Sequence, residues 1–331
     1  MGNIDFVLLW VDGNDPAWLA EKEKYLPDTK NESSAENRFR DWNNLHYWFR
    51  AVEKYAPWVN KIHFITWGHV PKWLNTKHKK LNIVKHEEYI PEKYLPTFNS
   101  NVIELNLHRI PGLAERFVLF NDDTFLCNKV NPDFFFKKGL PADAFVNTAI
   151  YSPKNELSYY HMLINNIAII NKNFNKRQVM KENFTKCFSP KYGMKNFMNL
   201  CLLPWPCFTG FFRFHMPQPH LKSTFREVWK KEPYMFENAM KNRFRGDTDI
   251  SHWVIRDWNL CSGKFNPKSL DVKGLFFIGR DTSELCDYII KQKGEMLCMN
   301  DSDMGVDFVR ESKIINKAFQ KVLPKKCTYE I

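Results

Sequence analysis

Phe117-Val118-Leu119-Phe120-Asn121-Asp122-Asp123-Thr124 decides how the chain is read. Four apolar residues follow the breaker Pro111-Gly112 and predict a short buried strand, which stops on two adjacent carboxylates. In open α/β sheets ligands collect at the carboxyl ends of strands, and carboxylates there can hold Mg²⁺ or Mn²⁺ against the phosphates of a nucleotide. Taken alone, the pair reads more readily as a solvated turn, because Asp favours turns after strands.

The residues to either side supply the context. Upstream, Phe6 to Val11 is a continuously apolar strand ending on Asp12-Gly13-Asn14-Asp15-Pro16, a second polar loop after a second strand. Residues 19–37 are charged and read as an exposed connection. Leu45, Trp48, Phe49 and Val52 fall at i, i+3, i+4 and i+7 and predict a helix ending before Pro57, and Ile62 to Thr66 is the next strand. Leu81 to Val84 adds a strand, and Val102 to Ile110 a helix leading into the acidic strand. This βαβα order predicts a doubly wound sheet with its polar loops along one edge.

Downstream of Asn128 the texture changes to an aromatic, Asn-rich region running to Pro206. Within it Ile167-Ala168-Ile169-Ile170 reads as a strand. Leu221, Phe225 and Val228 predict one helix, Ile250, Trp253, Val254 and Trp258 another, and Leu275 to Ile278 a late strand. Cys298-Met299-Asn300-Asp301-Ser302-Asp303 reads as a second acidic turn. No repeat or low-complexity linker marks a boundary, so one catalytic domain is expected, with residues 1–127 as the α/β core, 128–205 as a variable insertion and 206–331 completing the cleft.

A chain of 331 residues, 44% hydrophobic and 15% aromatic, buries a substantial core and is not disordered. Its formal charge of +11 favours an anionic partner. The Lys and Arg residues are dispersed, with no nucleic-acid motif, so nucleic acid is not the expected partner. The eight cysteines lack C-x-x-C spacing and read as buried thiols of a reducing compartment. With no signal-like start and no membrane-length apolar run, a cytoplasmic protein is expected, peripheral at an anionic inner membrane through its basic surface.

The segments Ile4 to Val7, Trp10 to Asp15, Arg38 to Asp41, Tyr55 to Val59, Thr97 to Ser100, Leu107 to Ile110 and Phe120 to Asp123 together resemble the first two conserved blocks of the Stealth family. His215-Met216-Pro217 resembles the third block, and Cys298-Met299-Asn300-Asp301 the short fourth. The family comprises sugar-phosphate transferases of bacterial capsule synthesis, related to the animal Golgi N-acetylglucosamine-1-phosphotransferase. The resemblance implies a Rossmann-like, GT-A-like nucleotide-sugar-binding sheet with added helices over the cleft. The implied activity is transfer of a hexose 1-phosphate from a UDP-hexose or UDP-N-acetylhexosamine to a hydroxyl of a capsular glycan, releasing UMP. Capsule-assembly proteins are further implied partners.

The resemblance also distributes roles. Asp123, with Asp122, Asn300 and Asp301, is the expected oxygen-rich site for Mg²⁺ or Mn²⁺. His215 is the candidate general base, since a neutral imidazole takes a proton from a hydroxyl near pH 7. Arg245 matches a family arginine suited to gripping a diphosphate, with Arg38 as a second phosphate-side residue and Arg243 two positions away. Trp10, Asp12 and Gly13 stand where uracil and ribose would be held. Asn99, His108 and Arg109 are expected at the donor sugar or as support behind it, and the last two could simply fix a helix end. Two rivals remain: a metal-dependent UDP-sugar glycosyltransferase releasing UDP, and a non-catalytic basic module.

Overall fold

Strand β1 (Ile4–Leu9) shows how the molecule is layered. Ile4, Phe6 and Leu8 enter one apolar cluster and Val7 enters another. Side chains alternate across a strand, so a strand apolar on both faces must be covered on both. The computed structural model describes residues 2–26, 41–151, 157–270, 273–279, 281–301 and 307–331.

After β1 come α1 (Pro16–Glu23), α2 (Leu45–Tyr55), β2 (Ile62–Thr66), β3 (Leu81–Lys85), α3 (Ser100–Leu105) and β4 (Arg116–Phe120). The principal sheet has the order β3, β2, β1, β4 with all four strands parallel. Helix α2 presents Leu45, Trp48, Phe49 and Val52 to the face that carries Phe6 and Phe120. Val102 and Leu105 of α3 cover the other face, with Val7 and Phe117. The doubly wound α/β fold expected from the sequence is therefore present.

The chain then leaves this sheet through Asn121-Asp122-Asp123 and enters β5 (Thr124–Leu126), the edge of a second sheet. There follow β6 (Phe136–Lys137), β7 (Leu140–Asp143), α4 (Leu157–Asn173), α5 (Lys176–Glu182), α6 (Phe184–Cys187), α7 (Asn196–Cys201), β8 (Gln218–Leu221), α8 (Lys222–Lys231), α9 (Pro233–Met240), α10 (Trp253–Cys261), β9 (Asn266–Pro267), β10 (Leu275–Ile278), α11 (Ser283–Lys291), β11 (Met296–Asp301) and α12 (Phe308–Val322). Strand β8 returns to the principal sheet, antiparallel to β4, with Leu119 opposite Gln218. Strand β11 lies between β10 and β5, parallel to the first and antiparallel to the second. Helix α12 seals the far side of α2, where Phe319 stacks on Tyr47 and the Tyr47 hydroxyl donates to Gln320 at 2.8 Å.

Several sequence expectations change. Ile167 to Ile170 belongs to α4, not a strand, because buried Leu163, Asn166, Ile167 and Ile170 recur at helical spacing. Met296 to Asp301 is a strand, not a turn, since its backbone pairs on both sides. Residues 16–23 form a helix capped by Asp15, and residues 27–37 of the expected loose connection lie outside the described residues. The helix before β4 ends at Leu105 and continues as a 3₁₀ turn over Leu107–Arg109. All eight cysteines are free, five of them buried, whereas Cys201 and Cys207 are exposed.

Candidate active site

The aspartate pair sits where the chain passes from one sheet to the other, so groups from three distant segments meet there. Strand β8 pairs with β4 and delivers His215, just ahead of it, beside Asn121. Strand β11 runs antiparallel to β5, and the Met299 N–H donates to the Asp123 carbonyl at 2.8 Å. That bond carries Asn300 and Asp301 alongside the Asp122-Asp123 turn. The site lies at the carboxyl edge of the parallel strands, where β1 also ends on Asp12 and Gly13.

Asp123 is the centre. Its Oδ2 lies 3.5 Å from His215 Nε2 and accepts from Cys298 Sγ at 3.6 Å. One ligand atom each from Asp123, His215 and Cys298 falls within a 4.8 Å group. Among the described residues Asp123 Oδ1 is buried without a hydrogen-bond partner, a costly state for a carboxylate oxygen that a cation relieves. Burial first, and the Asp123 charge next, push the Cys298 thiol far up, so it stays protonated as a donor. The donors left in the group are a carboxylate and an imidazole, a pair that can hold a divalent ion.

His215 is 44% exposed on its side chain, open to an incoming hydroxyl, and the Asn121 amide donates to its Nε2 at 3.1 Å. The Asp123 charge raises the imidazole above its ordinary range, with burial opposing. Loss of solvation in the cleft, then repulsion from Asp123 and Asp41, push the Asp122 carboxyl up. Asp41 is itself raised by burial and, further, by Asp12. Four carboxylates therefore crowd one edge of the sheet.

Behind His215 lies a group that sequence reasoning did not single out. Glu104 of α3 is buried, and burial pushes its carboxyl up to about 7 against the pull of Arg245 and His215. It stands 3.9 Å from His252 Nε2, and His252 Nδ1 meets His220 Nε2 at 3.0 Å. An acid inside an amphipathic helix gives no sequence signal of its own. Cys298 and Asn121 stood inside quoted segments without a role.

Among the expected residues, Arg245 reaches the cleft: its Nη2 donates to Ser100 Oγ at 2.9 Å and its charge is felt by Glu104 and His215. Arg243 instead stacks over Tyr25 at 4.5 Å, which separates the two arginines. Arg38 lies outside the described residues. The Trp10 ring is buried, stacked on Phe64 at 5.5 Å with His69 edge-on, because it continues the apolar side of β1. The Asp12 N–H donates to His69 Nε2 at 2.8 Å, fixing the turn that holds Gly13.

Asn99 is fully buried; it donates through Nδ2 to the carbonyls of Asn242 and Phe244 and to both Asp249 oxygens, and it accepts from Asn101 N. It fastens the start of α3 to the loop that carries Arg245. His108 and Arg109 are corrected as donor-sugar contacts, because α3 runs back to the amino edge of the sheet. There the His108 ring stacks on Phe225, burial pulls it down to about 3, and the Arg109 guanidinium lies 5.0 Å over Trp229.

A mainly parallel α/β sheet that gathers acidic groups, a histidine and an arginine at its carboxyl edge is the class that fold and site define. Sequence comparison supplies the particular family. The models for Stealth protein CR1, conserved region 1, and Stealth protein CR2, conserved region 2, match residues 2–30 and 38–143. The chain is 43% identical to the capsular polysaccharide phosphotransferase WcwK of Streptococcus pneumoniae, covering 100% of this chain and 98% of that one. It is 41% identical to the exopolysaccharide phosphotransferase cps2G of Lactiplantibacillus plantarum, covering 99% and 96%. The chain belongs to the Stealth family and is a transferase enzyme. Among solved structures, the galactosyltransferase LgtC with donor and acceptor sugar analogs is similar at a TM-score of 0.34 and 10% identity, covering 82% of this chain and 75% of that one.

Proposed function

We propose that this transferase moves a hexose 1-phosphate from a UDP-sugar to a hydroxyl of a capsular or extracellular polysaccharide, forming a phosphodiester and releasing UMP. The observation that carries the reading is the cluster of Asp123, His215 and Cys298 within 4.8 Å at the carboxyl edge, in a chain whose full-length relatives are polysaccharide phosphotransferases.

Phosphoryl transfer needs charge neutralised on the diphosphate and an attacking oxygen held in line. His215, in its neutral form, takes the proton of the acceptor hydroxyl. The oxygen bonds to the β-phosphorus, the bond from that phosphorus to the bridging oxygen breaks, and UMP leaves with the electron pair. Arg245 offers a planar fork to the diphosphate, and Ser100 steadies it. Asp123 would hold the divalent ion with Asp122, Asn300 and Asp301, and when bound it neutralises developing negative charge. Asp12 and Gly13 border the nucleotide side, residues 206–331 complete the acceptor side, and the insertion 128–205 flanks them. No described helix is long and apolar enough to cross a membrane. Dependence on UDP-sugars would place the work on the cytoplasmic side.

The test is incubation with Mg²⁺, a panel of UDP-hexoses and UDP-N-acetylhexosamines, and short capsule oligosaccharides. Released nucleotide is read by ion-exchange chromatography and the product by ³¹P resonance. UMP with a diester signal, lost in EDTA and restored by Mg²⁺ or Mn²⁺, is the expected outcome. UDP in place of UMP would turn the reading to glycosyl transfer, and no nucleotide release from any donor would end it.

A further inference from the structure

The insertion between α4 and β8 exposes an unusual amount of apolar surface. Met194 is 95% exposed, Phe197 69%, Phe184 62%, Leu200 53%, Trp205 50% and Leu203 47%. These six lie within 22 residues of sequence, on α6, α7 and the turns joining and following them. Scattered surface apolar residues need no explanation, but six large ones this exposed within one short stretch of chain mark an interaction surface.

The backbone holds these side chains outward. Asn199 is fully buried on the inner side of α7, donating to the carbonyls of Phe145 and Cys187 and accepting from Asn147 N. That fixes Phe197, two residues earlier and on the opposite side of the helix, toward solvent. Lys176 is buried beneath the following turn, its ammonium taking the carbonyls of Leu202 at 2.5 Å and Trp205 at 3.0 Å. With those carbonyls turned inward, Leu203 and Trp205 face out. Gly193, with φ +52°, makes the bend that presents Met194, a conformation L side chains rarely adopt.

The surround is basic. From Arg177 to Cys207 there are five Lys or Arg residues and one acid, Glu182. Arg177, Lys181 and Lys191 are exposed. Exposed Trp, Phe, Met and Leu side chains with exposed Arg and Lys close by in sequence have the chemistry of the interface of an anionic bilayer, where aromatic rings sit at headgroup level and lysines meet phosphate.

We propose that the surface of residues 184–205 docks the enzyme onto an anionic lipid bilayer. This docking stands apart from the transfer reaction, because none of the proposed site residues lies within 184–205. The segment runs directly into residues 207–214, the chain that leads to His215, so docking would bring the acceptor side of the cleft near the membrane.

The test is co-sedimentation of the full chain with vesicles of phosphatidylcholine alone or of phosphatidylcholine and phosphatidylglycerol at 3:1. The expected result is binding to the anionic vesicles, with at least a tenfold lower partition coefficient for Met194→Ser/Phe197→Ser/Trp205→Ser and no change for Tyr234→Ser, an exposed aromatic on α9. The substituted side chains are solvent-facing, and circular dichroism of the triple variant verifies its fold. Wild type remaining in the supernatant with both vesicles, or a triple variant that binds as well as wild type, overturns the proposal. So does a wild-type dimer in sedimentation that the triple variant converts to monomer, since the surface is then a subunit interface.

Discussion

Glu104→Gln tests the electrostatics behind His215. The Glu104 carboxyl rises from 4.5 to about 7 because α3 buries it, so at low pH it stays protonated in the folded and unfolded chains alike. As pH climbs past 4.5 the unfolded chain gives up this proton while the folded chain keeps it, and stability falls until the folded carboxyl also ionises near 7. The whole loss is about 3 kcal/mol, from about 1.4 kcal/mol per pH unit of displacement. Gln keeps the volume and cannot ionise. Urea unfolding at pH 5 and pH 8.5 should therefore show the stability of Glu104→Gln minus wild type growing by about 2–3 kcal/mol at the higher pH. The same difference at both pH values refutes the burial argument. In turnover, the variant removes one of the charges that raise His215, so the acid limb of its kcat/KM profile moves to lower pH.

Four further outcomes are expected. His215→Ala lowers kcat by about 10²–10⁴ in the UMP-release assay, with stability within about 0.5 kcal/mol because the ring is half exposed. In wild type, the acid limb of kcat/KM lies above the ordinary imidazole value of 6.5, since Asp123 raises His215 and the base works only when neutral. Arg245→Lys raises the donor KM by about tenfold, because a point charge replaces a bidentate fork, while Arg243→Lys, whose side chain lies over Tyr25, leaves it unchanged. Asn99→Ala costs about 2–4 kcal/mol in urea unfolding, as a buried hydrogen-bonding side chain and a helix cap are lost together.

The sequence by itself determined the sheet. Continuous apolar runs at Phe6 to Val11 and Phe117 to Phe120, separated by a helical face at Leu45, Trp48, Phe49 and Val52, leave little besides parallel strands covered on both sides. Local pattern also placed the carboxylates at strand tips, because a strand buried on both faces must put its polar residues where it ends. Family resemblance brought His215 and Asp301 into the same argument. Only tertiary structure decided which groups meet. Cys298 joins Asp123 through a strand pairing that no local pattern encodes, and Glu104 becomes a carboxyl near neutrality because distant elements exclude water around it. Tertiary packing likewise withdrew Trp10 into the core and sent His108 and Arg109 to the opposite edge, since a helix returning between parallel strands carries its two ends to opposite sides of the sheet. Burial and pairing are properties of neighbours distant in sequence, and they set the chemistry of each side chain that residue order had only located.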